Sequence, residues 1–299
     1  MIIVIVGPTG VGKTKMSIEL AKQFNGEIIN ADSTQIFKNL DIATAKVTKE
    51  EMEGIPHHLI DIKNIHEDYT VYDYQRDCRK VIEEILDKKK TPIIVGGTGL
   101  YIKAALYDYE FEEENQKKDY SQYKDFELYR KLQAIDPKTE IHPNNRKRIE
   151  RALNYYENNH QIPSEKRKAN QLLYKATFIG LTTTRELLYE RINQRVDSML
   201  AQGLIKEAKE LYDTNIGTKA VMTPIGYKEL FGYFGGEYTY EEAVSRIKQR
   251  SRNYAKRQYT WFNHQMPTIW FNVNFDQFDE TTHQVIEYIR KEEKNETYQ

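Results

Sequence analysis

One cysteine in 299 residues, Cys78, excludes an internal disulfide, and the seven histidines show no zinc spacing, so neither an oxidising compartment nor a structural metal is indicated. Cys78 falls in a predicted helix as a small buried residue. No long hydrophobic run occurs. The apolar stretch Ile2–Val6 is too short for a signal peptide or a membrane span and has no basic residues before it, which with a mean hydropathy of -0.75 predicts a cytoplasmic protein. Internal repeats and low-complexity segments are missing too, as are the glycine-rich loop, H-R-D and D-F-G signatures of a protein kinase. A net charge of -1 leaves no global field to attract a polyanion, so any such attraction must come from local clustering. The length suffices for one large domain or two smaller ones with a well-buried core.

What is present begins at residue 2. The run Ile2–Val6 reads as a buried parallel strand and leads into Gly7-Pro8-Thr9-Gly10-Val11-Gly12-Lys13-Thr14, a complete G-x-x-x-x-G-K-[ST] pattern. Met16, Ile18, Leu20, Ala21 and Phe24 then recur along a helical stripe, so the loop opens a helix. In that setting the amides of Gly10, Gly12 and Lys13 can converge on phosphate oxygens, with the Lys13 ammonium as a point charge and the Thr14 hydroxyl as a Mg²⁺ ligand. The bland alternative is an ordinary glycine turn. The loop does not say what carries the phosphate, since kinases, ATPases and GTPases all use it.

Two further strands point to the same edge. Residues 27–31 deliver Asp32-Ser33-Thr34-Gln35 to a strand end, where ligands of open parallel sheets bind. A carboxylate beside a polyanion is unfavourable unless it binds a metal or takes a proton, although Asp32 could also simply cap its turn. Thr91–Val95 is followed by Gly96-Gly97-Thr98-Gly99-Leu100-Tyr101, a second glycine-rich turn into a helix. His57-His58-Leu59-Ile60-Asp61 is the closest match to a Walker B strand end: Asp61 could reach a magnesium-bound water, and the two histidines read as structural. A fourth strand is predicted around Phe178-Ile179-Gly180-Leu181. After it comes a helix from Thr184 with Leu188, Ile192, Val196 and Met199 inward and Arg191 and Arg195 on its flank. The fold class is therefore α/β, a P-loop NTPase-like parallel sheet flanked by helices, with a helical insertion. The core is placed in residues 1–108 and 172–299, and the polar insertion, which includes Glu112-Glu113-Glu114 and the Asp136-Pro137 break, in 109–171.

Charge is unevenly distributed. Arg246, Lys248, Arg250, Arg252, Lys256 and Arg257 lie in a window free of Asp and Glu. A second basic stretch carries Arg146, Lys147, Arg148, Arg151, Lys166, Arg167 and Lys168 against Glu150, Glu157 and Glu165. Most such runs are solvated helix faces, but these are interleaved with Tyr155, Tyr156, Tyr254, Tyr259 and Trp261, the pattern of a nucleic-acid backbone footprint with stacking side chains. Arg146, Lys147 and Arg148 sit near the start of a predicted helix, where cations oppose the macrodipole and favour an anionic partner. The segment 276–299 reads as a terminal helix without chemistry.

Residues 7–14, 31–35, 41–46, 57–61, 96–101, 148–153, 226–228 and 255–261, taken in order, resemble the bacterial tRNA dimethylallyltransferase family over nearly the whole chain. Departures are small: Gly99 stands where relatives often differ, and Lys228 where some carry Arg. The resemblance implies transfer of a dimethylallyl group from its diphosphate to N6 of adenosine 37 in tRNAs that read codons beginning with U. It also implies a P-loop holding diphosphate rather than ATP, and a monomer. By the same resemblance Asp32 would be the base, Thr9 would hydrogen-bond near the bridging oxygen and the amine, and Arg195 would stabilise the leaving diphosphate. Ser33, Thr34 and Gln35 would touch the target base with Thr98 beside it, and Arg146, Lys147 and Arg148 would grip the anticodon stem-loop. The rivals are a small-molecule P-loop kinase, a nucleic-acid-dependent ATPase and prenyl transfer to free AMP.

Overall fold

The computed structural model describes residues 1–111, 118–165 and 171–297. Six strands form one all-parallel sheet: β1 (Ile2–Val6), β2 (Gly26–Asn30), β3 (His57–His58), β4 (Thr91–Val95), β5 (Ala176–Thr182) and β6 (Ile269–Asn272), in the order β3-β2-β4-β1-β5-β6. Every residue of β1 and β2 is buried, as expected of central strands covered by helices on both faces. Register aligns the strand ends, with Ile5 opposite both Val95 and Ile179, so the loops after β1, β4 and β5 leave from one edge. Ile3, Ile5, Met16, Leu20, Ile28, Ile93 and Ile179 form the core beneath that edge.

The chain divides into two compact units, Met1–Tyr107 with Leu172–Gln299, and Asp108–Gln171. The second has its own core, in which Leu128 and Leu132 of the helix Asp125–Ile135 pack with Ile149 and Leu153 of the helix Arg146–Asn159. Buried Asp136 ends the first of these helices and accepts from Ser164 N at 2.9 Å and Ser164 Oγ at 2.6 Å.

Two elements differ from the sequence expectation. β6, only four residues at the sheet edge with Ile269 exposed, shows too little apolar alternation to announce itself. The terminal helix Phe278–Thr297 is not an idle tail, because Phe278, Val285 and Ile289 enter the core. Its Phe278 ring lies so close to Gly12 that a Cβ there would stand 2.8 Å from the ring, and Lys15 Nζ sits 4.6 Å from the ring centroid.

Candidate active site

The phosphate-type loop leaves β1 and enters the helix Lys13–Gln23, with Gly12 in the left-handed region at φ 96, a conformation that side-chain-bearing residues resist. Lys13 Nζ curls back into the loop and donates to the Gly7 carbonyl at 3.0 Å and the Pro8 carbonyl at 2.8 Å. Burial, and then the Arg195 charge, push the Lys13 ammonium down to about 7, with Asp32 acting in the opposite sense. Arg195 is itself lowered by burial, against Asp32 and Glu51. Lys13, Asp32 and Arg195 thus form one electrostatic cluster. Two like charges held together in the protein favour an anion between them.

Asp32 stands just past the end of β2 and is fixed from both sides. Asn30 Oδ1 accepts from Asp32 N at 2.9 Å, while Asn30 Nδ2 donates to the Asp32 and Leu59 carbonyls at 3.1 and 2.9 Å. Asp32 Oδ1 accepts from Thr34 N at 3.0 Å and Thr34 Oγ1 at 2.7 Å, so the turn-capping role is real. Its Oδ2 has no hydrogen-bond partner among the described residues. Ser33 N donates to Thr98 Oγ1 at 3.0 Å, and Thr98 Oγ1 donates to Ser33 Oγ at 3.2 Å, tying the turn after β2 to the turn after β4.

Thr9, Gly10, Gly12, Lys13, Thr14, Asp32, Ser33, Thr34, Gln35, Thr98 and Arg195 all line one cleft of about 1350 Å³. That is room for a diphosphate and a nucleobase together. Gly7, Pro8 and Val11 are buried beneath it. Gln35 lines the cleft, yet its Nε2 is committed to the Thr44 and Ala45 carbonyls at 3.1 and 3.3 Å. Helix Arg185–Ala201 adds apolar lining with Ile192, Val196 and Met199, and its Arg191 donates to the Gly10 carbonyl at 3.2 Å across the Phe275 ring. The Thr14 hydroxyl is exposed and makes no hydrogen bond among the described residues. A lone hard-oxygen donor beside a phosphate loop fits Mg²⁺, which commonly takes one or two protein oxygens and completes its shell from substrate phosphates and water. Among the described residues no cluster of three His, Cys, Asp or Glu offers an all-protein alternative.

Other expectations change. Asp61 does not line the cleft; with Asp41 it pairs with Lys46, at 2.6 and 2.7 Å, and Lys46 also donates to the Phe37 carbonyl at 2.8 Å. The Walker B reading of Asp61 is therefore corrected: the left-handed backbone at Asp61 (φ 55) carries its carboxylate to a buried lysine strut. His58 pairs with buried Glu27 at 2.8 Å, which Lys88 and Lys90 also reach, so this histidine is structural. Part of the basic window in the helix Tyr240–Gln265 is already engaged: Lys248 pairs with Asp197 at 2.6 Å and Arg250 with Glu229 at 2.5 Å, while Arg252 donates to the neutral amide of Asn193 at 2.7 Å. Arg257 alone of the six lines the cleft.

In the second unit, Arg146 holds Asp125 and Glu150, each at 2.7 Å, and donates to the Tyr120 and Tyr123 carbonyls. It is a strut. Lys147 and Arg148 are exposed and have no ion-pair partner among the described residues. Lys166, Arg167, Lys168 and Glu112-Glu113-Glu114 lie outside the described residues.

Two site-forming residues escaped sequence reasoning. Glu207 accepts from the amides of Asp41, Ile42 and Ala43 at 3.0, 2.8 and 3.0 Å and from Tyr227 OH at 2.7 Å, pinning the loop that forms one wall. Gln258 bridges the turns after β1 and β4. Tyr254 also lines the cleft; burial and then Asp32 raise its phenol, against hydrogen bonds from Thr98 and Gln258. A lone glutamate or glutamine carries no chemical signal in sequence, and only the contacts identify these roles.

Residues 35–265 match the family model described as IPP transferase. The chain is 50% identical to the tRNA dimethylallyltransferase of Anoxybacillus flavithermus over 96% of each protein. It is 48% identical to that of Geobacillus kaustophilus over 96% of this chain and 95% of the relative. Among solved structures it is similar to the tRNA isopentenylpyrophosphate transferase of Bacillus halodurans, with a TM-score of 0.75, 42% identity and 99% coverage of both chains. A eukaryotic dimethylallyltransferase acting on tRNA superposes with a TM-score of 0.83 at 32% identity, over 95% of this chain and 77% of that one.

Proposed function

The chain belongs to the IPP transferase family, and from that premise we propose that it transfers a dimethylallyl group from dimethylallyl diphosphate to N6 of adenosine 37 in tRNAs reading codons that begin with U. The observation that carries the reading at the level of chemistry is the sharing of one cleft by Lys13, Thr14, Arg195, Asp32 and Thr98. Cations and loop amides suit a diphosphate, and a carboxylate with one uncommitted oxygen suits an amine that must lose a proton.

In this mechanism the Asp32 Oδ2 accepts a proton from the exocyclic amine, whose lone pair is otherwise delocalised into the adenine ring. A bond forms from N6 to the allylic carbon as the carbon–oxygen bond breaks, and the electron pair leaves with diphosphate. Lys13, Arg195 and the loop amides face the charge that develops there, and preorganised donors of this kind act without reorganising at the moment of reaction. Thr14 would hold Mg²⁺, which when bound supplies charge neutralisation of the diphosphate oxygens. Thr9 is assigned to the bridging oxygen and Thr98 and Ser33 to the base, which must leave its stack to enter the cleft. Gln35 would present its amide oxygen, since its nitrogen is engaged. Lys147 and Arg148 of the second unit would contact the anticodon stem-loop, with Arg146 bracing their helix. By family likeness it would act as a monomer. No described helix is long and apolar enough to cross a membrane.

The test is purified protein with radiolabelled dimethylallyl diphosphate and either bulk tRNA, AMP or ATP controls. Label in tRNA is expected. Label in AMP alone, or phosphate release from ATP without label transfer, overturns the proposal.

A further inference from the structure

Gln258 lies on the inward face of the helix Tyr240–Gln265 and is 5% exposed. Its amide is divided between two loops: Oε1 accepts from Thr9 N at 2.9 Å, and Nε2 donates to the Gly97 carbonyl at 3.2 Å. The orientation is forced, because an N–H can only donate and a carbonyl can only accept. The approach is so close that a Cβ on Gly97 would stand 2.0 Å from Gln258 Nε2. One residue further on, Thr98 holds Ser33, the neighbour of Asp32. A continuous line of hydrogen bonds and chain thus joins the diphosphate loop to the turn bearing the carboxylate.

Resting on the proposed function, we infer that Gln258 is a positioning residue: it sets the separation of the Thr9 loop from the Gly97–Thr98 turn, and so the alignment of the allylic carbon with the base amine. Misplacement of reacting groups by about 1 Å can cost about a hundredfold in rate.

Gln258→Glu tests this, because it preserves shape. As a carboxylate it still accepts from Thr9 N but opposes a second acceptor at the Gly97 carbonyl. As a neutral acid its O–H donates to that carbonyl and both bonds return. At pH 8, kcat for tRNA prenylation is expected to fall by about 30–100-fold, with KM for tRNA nearly unchanged. Between pH 8 and pH 6 the ratio of variant to wild-type kcat should rise several-fold, while Gln258→Ala keeps a constant deficit. Thermal melts at both pH values report folding, and the isosteric variant carries the test if the alanine variant does not fold. A Gln258→Glu kcat within twofold of wild type at pH 8, a loss confined to KM, a flat ratio across pH, or unfolding of Gln258→Glu at pH 8 overturns the inference. An inactive wild type instead overturns the function beneath it, which an active wild type with unaffected variants does not.

Discussion

Thr34 donates twice to the same oxygen of Asp32, from its amide at 3.0 Å and its hydroxyl at 2.7 Å. One carboxylate oxygen is thereby an anchor and the other is left for chemistry. Asp32→Ala should lose about 10²–10⁴ in kcat while tRNA binding, measured by filter retention, persists. Thr34→Ala keeps the base and loosens its aim, so a smaller loss of about tenfold is expected. Undiminished turnover in Asp32→Ala would remove the base assignment.

Lys13, pushed down to about 7 by burial and then Arg195, predicts a pH-dependent affinity for diphosphate. The anion favours the ammonium form, so binding is full below about pH 7. Above that it weakens by up to about tenfold per pH unit, until the pKa of the ligand-bound lysine is reached. Arg195→Gln removes the charge that, after burial, depresses Lys13 and moves the break upward, although it slows transfer. The pH dependence of kcat/KM for dimethylallyl diphosphate between pH 6 and 9 checks both shifts; coincident profiles would rule out the coupling.

Removing the carboxylate of Glu207 strands three amides and the Tyr227 hydroxyl. Glu207→Ala is expected to cost about 2–3 kcal/mol in a urea melt and to raise KM as the wall of residues 41–45 loosens. An unchanged melt would mean that water replaces the carboxylate at no cost.

Glu27 provides an acid-stability test distant from the chemistry. Burial pushes its carboxyl up, yet hydrogen bonds from Lys90, His58 and Lys88 outweigh this and hold it at about 2, against an ordinary 4.5. A folded pKa below the unfolded one gives stability that is whole above about 4.5 and drains away as the pH falls toward about 2. Glu27→Gln should therefore be less stable by about 2 kcal/mol at pH 7, after allowance for the partly exposed lysines, and the gap should narrow below pH 4.5. A gap as wide at pH 3 as at pH 7 contradicts the linkage.

Lys147→Ala with Arg148→Ala should raise KM for tRNA and flatten its dependence on salt by roughly 1.4–1.8 units of log–log slope, with kcat on saturating tRNA retained. Arg146→Ala should instead lower the melting temperature, because its guanidinium holds Asp125, Glu150 and two carbonyls. Identical behaviour of the two variants would erase the distinction between grip and strut.

Much of the sheet and half of the cleft were legible in the sequence, for a physical reason. Fully buried strands such as Ile2–Val6 and Thr91–Val95 are short apolar runs, and the phosphate loop has fixed spacing because backbone geometry demands it. Asp32 could be placed because a strand end has a definite position on a parallel sheet. Asp61 misled because its neighbours in sequence look like a strand end while its partner, Lys46, is chosen by tertiary folding. Arg146 and Arg148 are alike as letters, and only the location of Asp125 and Glu150 separates brace from exposed cation. Gln258 was invisible as chemistry: its meaning lies in two loops more than a hundred residues upstream.

The strand order gives the molecule a timetable. β1 precedes the other five strands along the chain but lies between β4 and β5, so its two edges stay unpaired until residues 91–95 and then 176–182 have been made. Long-range parallel pairing is slow and leaves such edges exposed to wrong partners. The phosphate loop hangs from this early strand and is latched by a side chain some 250 positions later. A nascent chain therefore carries the loop and the carboxylate long before it can hold them in register, and competence arrives only with the closing helices.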